Sequence, residues 1–264
     1  MGREFPLPAL PRGEGQGEGQ LHTPEQASAP HSDPLPIVKD NGEREKASAM
    51  DILVDLDGTL VDPKPGLIGS VQHALRKLGL PVPPAEELLW LIGPPFRVSF
   101  PKLFGRPDLT EEGIGHFRES YFNGAMFDAI VYDGVADALD RLCAAGCRLF
   151  VATSKPHYYA RPILEHFDLA RRFAAIHGPE LDGTNDHKSD LIAHMIACEG
   201  VRADRAIMVG DRELDVTAAA RNGIRTVGVT WGYGSVEELE GAGAAMLCDA
   251  PGGLASAALT LLRA

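Results

Sequence analysis

The chain has 264 residues, 44% of them apolar, with 37 acidic against 25 basic side chains and a formal net charge of −12. That length suffices for one large domain or for a core with a smaller companion. The acidity argues against a surface that binds a nucleic-acid backbone.

Residues 1–49 are rich in Pro, Gly, Glu, Gln and Ser and have no apolar period, so they cannot bury enough surface to offset the entropy of ordering. The expectation is a disordered extension, or a spurious one if Met50 is the functional start. This stretch holds 5 Lys/Arg and 8 Asp/Glu, so most of the negative charge belongs to the chain beyond it. No run of about 18 apolar residues offers a membrane span, and the N-terminus lacks the basic-then-apolar pattern of a signal peptide. The four cysteines (Cys143, Cys147, Cys198, Cys248) show neither metal-knuckle spacing nor a disulfide framework. They read as reduced, mostly buried thiols of a cytoplasmic protein.

From residue 51 the chain alternates two patterns. DILVDL, RLFVATS (148–154), FAAIHG (173–178), AIMVGD (206–211) and RTVGVT (225–230) are short apolar runs that read as buried strands. Between them lie helical stripes: Val135, Ala138, Leu139, Leu142; then Leu191, Ile192, Met195, Ile196; then residues 213–222, stopped by Gly223. Such alternation predicts an α/β fold, a doubly wound parallel sheet with helices on both faces. Residues 66–134 break the pattern and read as helices only: Leu67, Val71, Leu75 and Leu78 on one stripe, AEELLWLIG (85–93), the Phe96–Phe104 stripe, and a helix over 110–123. Pro162 predicts a kink in the helix after TSKP. The expected organisation is a Rossmann-like core from 50–65 and 135–264, with a helical cap from 66–134 inserted after the first strand.

The chemistry concentrates where strands end. Asp55 and Asp57 sit two residues apart at the end of an apolar run; at ~4 Å in an effective dielectric near 20 two such charges repel by roughly 4 kcal/mol. A metal ion, a lysine or a proton must offset that. The other strand-end groups are Thr153, Ser154 and Lys155, then Lys188, then Asp211 with Asp215. Singly, each has a plain structural reading as turn former, solvated charge or helix cap.

Together, DLDGT, VATS, Lys188 and GDRELD (210–215) resemble the four motifs of the haloacid dehalogenase superfamily, in its branch with an inserted helical cap. GPP in the cap, TSKP and GVTWGYGS (228–235) are similar to phosphoglycolate phosphatase-like members. The resemblance implies Asp55 as nucleophile and Asp57 as general acid and base, with Thr59 orienting Asp57. It implies Mg²⁺ held by Asp55, by the backbone carbonyl of Asp57 and by Asp211, with Asp215 in support. Lys188 would neutralise Asp55 and a phosphoryl oxygen, and Thr153 and Ser154 would bind the other oxygens. True dehalogenases lack an acid two residues after the nucleophile, so Asp57 favours phosphoester chemistry.

The implied activity is hydrolysis of a small-molecule phosphate ester, phosphoglycolate first, with a 5'-nucleotidase or pyrophosphatase as alternatives. A non-catalytic phospho-accepting or scaffold protein is the rival of a different class. Arg97, after Gly93-Pro94-Pro95-Phe96, is the candidate to pair with a substrate carboxylate, with Arg118 or Tyr121 next. The expected assembly is a monomer or homodimer, with no nucleic acid and no membrane as partner.

Overall fold

The computed structural model describes residues 50–264; the extension expected for 1–49 lies outside them. Six parallel strands form the sheet: β1 (Met50–Val54), β4 (Cys147–Ala152), β5 (Ala175–His177), β6 (Ala206–Gly210), β7 (Arg225–Val229) and β8 (Met246–Cys248). Their spatial order is β5-β4-β1-β6-β7-β8. Central β1 pairs with β4 (Ile52 beside Leu149) and with β6 (Ile52 beside Ile207). The chain therefore winds outward in both directions from β1, and the crevice beyond the carboxyl ends of β1 and β6 is the place where such sheets bind ligands.

Both faces are covered, as the continuous apolar strands require. Ile52, Val54, Leu149, Val151, Ile207 and Val209 pack on one face against α4 (Val135–Ala144), α5 (His157–His166) and α9 (Leu254–Arg263). Leu53, Phe150 and Met208 point the other way, onto α6 (Lys188–Glu199) and α7 (Glu213–Arg221). The period-two split of residues 52–54 between two cores is the pleat itself. Asp51 is buried at the start of β1, and the Arg148 guanidinium holds both its oxygens at 2.7 and 2.8 Å.

Residues between β1 and α4 form a third apolar cluster. It contains α1 (Lys64–Lys77), α2 (Phe96–Phe104) and α3 (Thr110–Phe122), with Leu67, Val71, Phe100, Phe117 and Tyr121 meeting Tyr159 and Ile163 of α5. Two short strands, β2 (Val61–Asp62) and β3 (Ile130–Val131), pair antiparallel at its base. The remaining helix, α8 (Val236–Ala242), follows β7.

The structure adds to or differs from the sequence expectation in several places. AEELLWL is a 3-10 helix over Ala85–Leu91, because its buried residues, Leu88 and Leu91, stand three apart, the repeat at which that helix eclipses its side chains. The stretch 66–134 is not purely helical, since β3 lies within it. Helix α5 carries Pro162 within its length, where the sequence places a kink. Only Cys147 and Cys248 are buried; Cys143 and Cys198 are exposed, and all four are free. Among the described residues no helix is long and apolar enough to cross a membrane.

Candidate active site

Beyond Val54 the backbone stays in the ladder for one more residue: Asp55 N donates to Val209 O at 2.9 Å. That bond fixes the Asp55 carboxylate at the mouth of the β1–β6 crevice. The chain then turns sharply, with Gly58 N on Val61 O at 2.8 Å and Val61 N on Leu56 O at 3.1 Å, while Leu56 and Leu60 plug into the core beneath. Gly58 has φ +85°, and a Cβ there would stand 2.2 Å from Asp211 Oδ2. Glycine is required on both counts.

Asp211 leaves the end of β6 beside Asp55. Its Oδ1 accepts the Thr59 hydroxyl at 3.2 Å and its Oδ2 accepts Tyr233 N at 2.8 Å. Thr59 thus orients Asp211, not Asp57 as the resemblance implied, because the turn carries its hydroxyl toward β6. Lys188, the first residue of α6, places Nζ 2.9 Å from Asp55 Oδ1 and donates to Asp215 Oδ1. The other oxygen of Asp215 accepts Arg212 N at 3.0 Å, closing the first turn of α7.

Carboxylate oxygens of Asp55, Asp211 and Asp215 lie within 4.8 Å of one another, all buried. Burial first, then the neighbouring carboxylates, push the Asp211 and Asp215 protons to higher pH, with Lys188 opposing this at Asp215. Burial works against the Lys188 charge, but Asp215 and Asp55 outweigh it and hold the ammonium firmly protonated. One lysine cannot balance three acids. Asp55 Oδ1, although close to Lys188 Nζ, accepts no aligned hydrogen bond in its buried setting. An under-partnered oxygen in a surplus of hard carboxylate donors fits Mg²⁺.

Asp57 faces elsewhere. Its Oδ2 lies 2.9 Å from Lys155 Nζ, which also donates to Tyr121 Oη at 2.6 Å. Burial raises the Asp57 pKa above the usual carboxylate range; Lys155 pulls it down and Asp55 adds to the rise. Its other oxygen, Oδ1, is buried without a hydrogen-bond partner. Thr153 is buried, and its hydroxyl accepts Lys155 N at 3.2 Å. Lys155 and Tyr121 were not assigned to Asp57 from the sequence. The signal present was a lysine directly after a strand-end Thr-Ser pair, but its partner is 98 residues earlier.

Above Asp57 opens a cavity lined by Leu91, Phe96, Phe117, Tyr121 and Tyr159, with Ser154, Arg97 and Arg118 at its wall. Arg97 is already engaged. Its Nε and Nη2 donate to the two oxygens of Glu111 at 2.8 and 3.2 Å, Nη1 to Asp186 at 3.1 Å, and Nη2 again to Leu181 O at 3.2 Å. Arg118 shares that carbonyl at 2.7 Å. Arg212 ties the roof to the core, bonding Ile92 O at 2.5 Å and Glu238 at 2.8 Å; sequence reading gave it no role.

Residues 52–229 match the haloacid dehalogenase-like hydrolase family. The chain belongs to this family. Among similar proteins, a 5'-nucleotidase of Pseudomonas aeruginosa is 43% identical over 71% of this hydrolase and 86% of its own length. A phosphoglycolate phosphatase of Agrobacterium fabrum is 33% identical over 71% of this chain and 83% of its own. The tyrosine-protein kinase PtkA of Mycobacterium tuberculosis is 39% identical over 72% of this chain, matched along 65% of its own length. The crystal structure of a predicted phosphatase from Clostridium acetobutylicum superposes with a TM-score of 0.78 at 37% identity, covering 82% of this hydrolase and all of that chain.

Proposed function

We propose that this hydrolase cleaves phosphate monoesters of small metabolites through an aspartyl-phosphate on Asp55. The observation that carries this reading is the division of labour between two carboxylates two residues apart. Asp55 lies against Lys188 and Asp211, as a nucleophile needs, whereas Asp57 is set on Lys155 with a raised pKa, as a proton carrier needs.

In the first step an Asp55 oxygen attacks phosphorus and the ester P–O bond breaks. The Asp57 proton passes to the departing alkoxide, which leaves as an alcohol. In the second step Asp57, now ionised, takes a proton from water as the oxygen attacks the aspartyl-phosphate. Inorganic phosphate leaves, and Asp55 and protonated Asp57 are restored. Lys188, 2.9 Å from Asp55, would neutralise charge there and on one phosphoryl oxygen, and Thr153 and Ser154 would meet the others. Mg²⁺, held by Asp55, the Asp57 carbonyl and Asp211 with Asp215 alongside, would offset phosphoryl charge and the repulsion among the acids. Residues 66–134 would serve as the cap that excludes water from this chemistry.

As substrate we favour a nucleoside 5'-monophosphate, with the nucleoside as the leaving group. Supporting it are the aromatic and aliphatic cavity wall, suited to a flat base, and the 43% relative named 5'-nucleotidase. Arg97, the sequence candidate for a substrate carboxylate, already makes four hydrogen bonds, to Glu111, Asp186 and Leu181 O. Phosphoglycolate is the second reading, and it rests on Arg118, which lines the cavity while donating to Leu181 O at 2.7 Å. Steady-state hydrolysis of nucleoside monophosphates, phosphoglycolate, pyrophosphate and an aryl phosphate with Mg²⁺ tests all of these. The highest kcat/KM should fall on a nucleotide. Transfer of phosphate from ATP to protein tyrosine without release from any monoester would overturn the hydrolase reading.

A further inference from the structure

Away from the acids, three side chains with nitrogen or sulfur donors converge behind β5. His177 ends that strand, and His194 and Cys198 stand four residues apart on α6, so one helix face presents both. One donor atom from each of the three lies within 4.8 Å of the others. The His177 and His194 rings meet edge to face at 6.2 Å. Glu199 adjoins them, with Oε1 2.9 Å from His177 Nε2 and 4.0 Å from Cys198 Sγ. His177 and Glu199 are half-buried, and His194 and Cys198 open to solvent.

We infer that His177, His194 and Cys198, with Glu199, form a second metal site, selective for a borderline divalent ion such as Zn²⁺. Two imidazoles and a thiolate are donors that such ions take and that Mg²⁺ does not. Zinc bonds of about 2.0–2.3 Å in a tetrahedral set bring neighbouring donors to roughly 3–4 Å. The Cys198 thiol gives up its proton to solvent as the metal–sulfur bond forms. The resulting thiolate and the Glu199 carboxylate together balance the dication.

The site matters because of what it grips. β5 is an edge strand of three residues, Ala175–His177. The His177 carbonyl accepts Thr153 N at 3.1 Å. A metal there cross-links this edge to α6, one hydrogen bond from the Thr153-Ser154 loop. The inference does not depend on the phosphatase reading.

The test is titration of the full-length protein with Co²⁺ in the presence of saturating Mg²⁺, followed by Zn²⁺ competition and thermal melts. One equivalent of Co²⁺ should bind with thiolate-to-metal charge-transfer absorption and the strong visible bands of a tetrahedral ion. Zn²⁺ should displace it and raise the Tm by several degrees. C198S should abolish the charge-transfer band, His194→Ala should weaken binding at least tenfold, and C143S should change neither. A band that survives in C198S, or no band in the native protein, overturns the site. So does equal Co²⁺ affinity in the native protein and the His194 variant, which would leave the His177–Glu199 contact as a plain surface hydrogen bond.

Discussion

Lys155 Nζ stands 2.9 Å from Asp57 Oδ2 and 2.6 Å from Tyr121 Oη, so one buried ammonium links the second carboxylate of the sheet to the inserted helices. Helix α3 therefore contributes to the environment of Asp57 through its Tyr121 phenol. Lys155→Met should lower kcat/KM by tenfold or more, ~1.4 kcal/mol or more of transition-state stabilisation. Tyr121→Phe should cost less, because Lys155 still reaches Asp57. Steady-state kinetics of the two variants checks the order, and an unaffected Lys155 variant would remove the lysine from the mechanism.

Asp57→Asn tests the proton carrier. An aryl leaving group needs little protonation, so formation of the aspartyl-phosphate from an aryl ester should persist while alkyl esters lose turnover by about 10²–10⁴-fold. Rapid-quench measurement of the phosphoenzyme separates the two steps. Identical losses for both esters would assign Asp57 another role.

The crowding of Asp55, Asp211 and Asp215 makes a prediction about stability as well as rate. With Mg²⁺ at about a hundred times its Kd, the native protein should gain about 2.7 kcal/mol. Asp211→Asn removes one of the crowded acids, so in chelator its Tm should equal or exceed the native value. Its response to Mg²⁺ should vanish, along with turnover. Thermal melts with and without Mg²⁺ read both. A normal Mg²⁺ response in this variant would put the ion elsewhere.

Arg97→Ala should act on the inserted segment and not on one substrate. Its guanidinium joins α2 to Glu111 of α3 and to the 181–186 loop, and the Glu111 side chain is largely exposed, so the ion pair itself is worth about 1 kcal/mol or less. The expected result is a small drop in Tm and a parallel fall in kcat/KM for charged and uncharged esters. A loss confined to phosphoglycolate would restore Arg97 as a substrate-carboxylate ligand.

The sheet was legible because buried parallel strands are continuous apolar runs, and the acids stood out because a carboxylate closing such a run is costly without a partner. The strand β8 was not legible: Met246-Leu247-Cys248 lacks β-branched residues and spans three positions. Pairings set by topology were equally hidden. Nothing near Lys155 names Tyr121 or Asp57, and nothing near Cys198 names His177, which lies on a neighbouring strand. Arg97 shows the complementary limit. Its place beside the cavity could be inferred from the Gly-Pro-Pro stop, but its engagement by Glu111 and Asp186 depends on how α3 and the 181–186 loop fold back.

The ribbon of β2 and β3 sets Asp62 opposite Ile130. The long excursion between them therefore departs and returns at one place, a two-stranded ribbon separate from the main sheet. A tight hairpin turn could close that gap without disturbing any register among the six parallel strands. We propose that the helices of 66–134 form a cap joined to the core covalently at this one place, with Tyr121 as its contact to Lys155. On that reading, changes in the cap would alter what meets the ester's leaving group, while Asp55 and Lys188 would keep their places beneath.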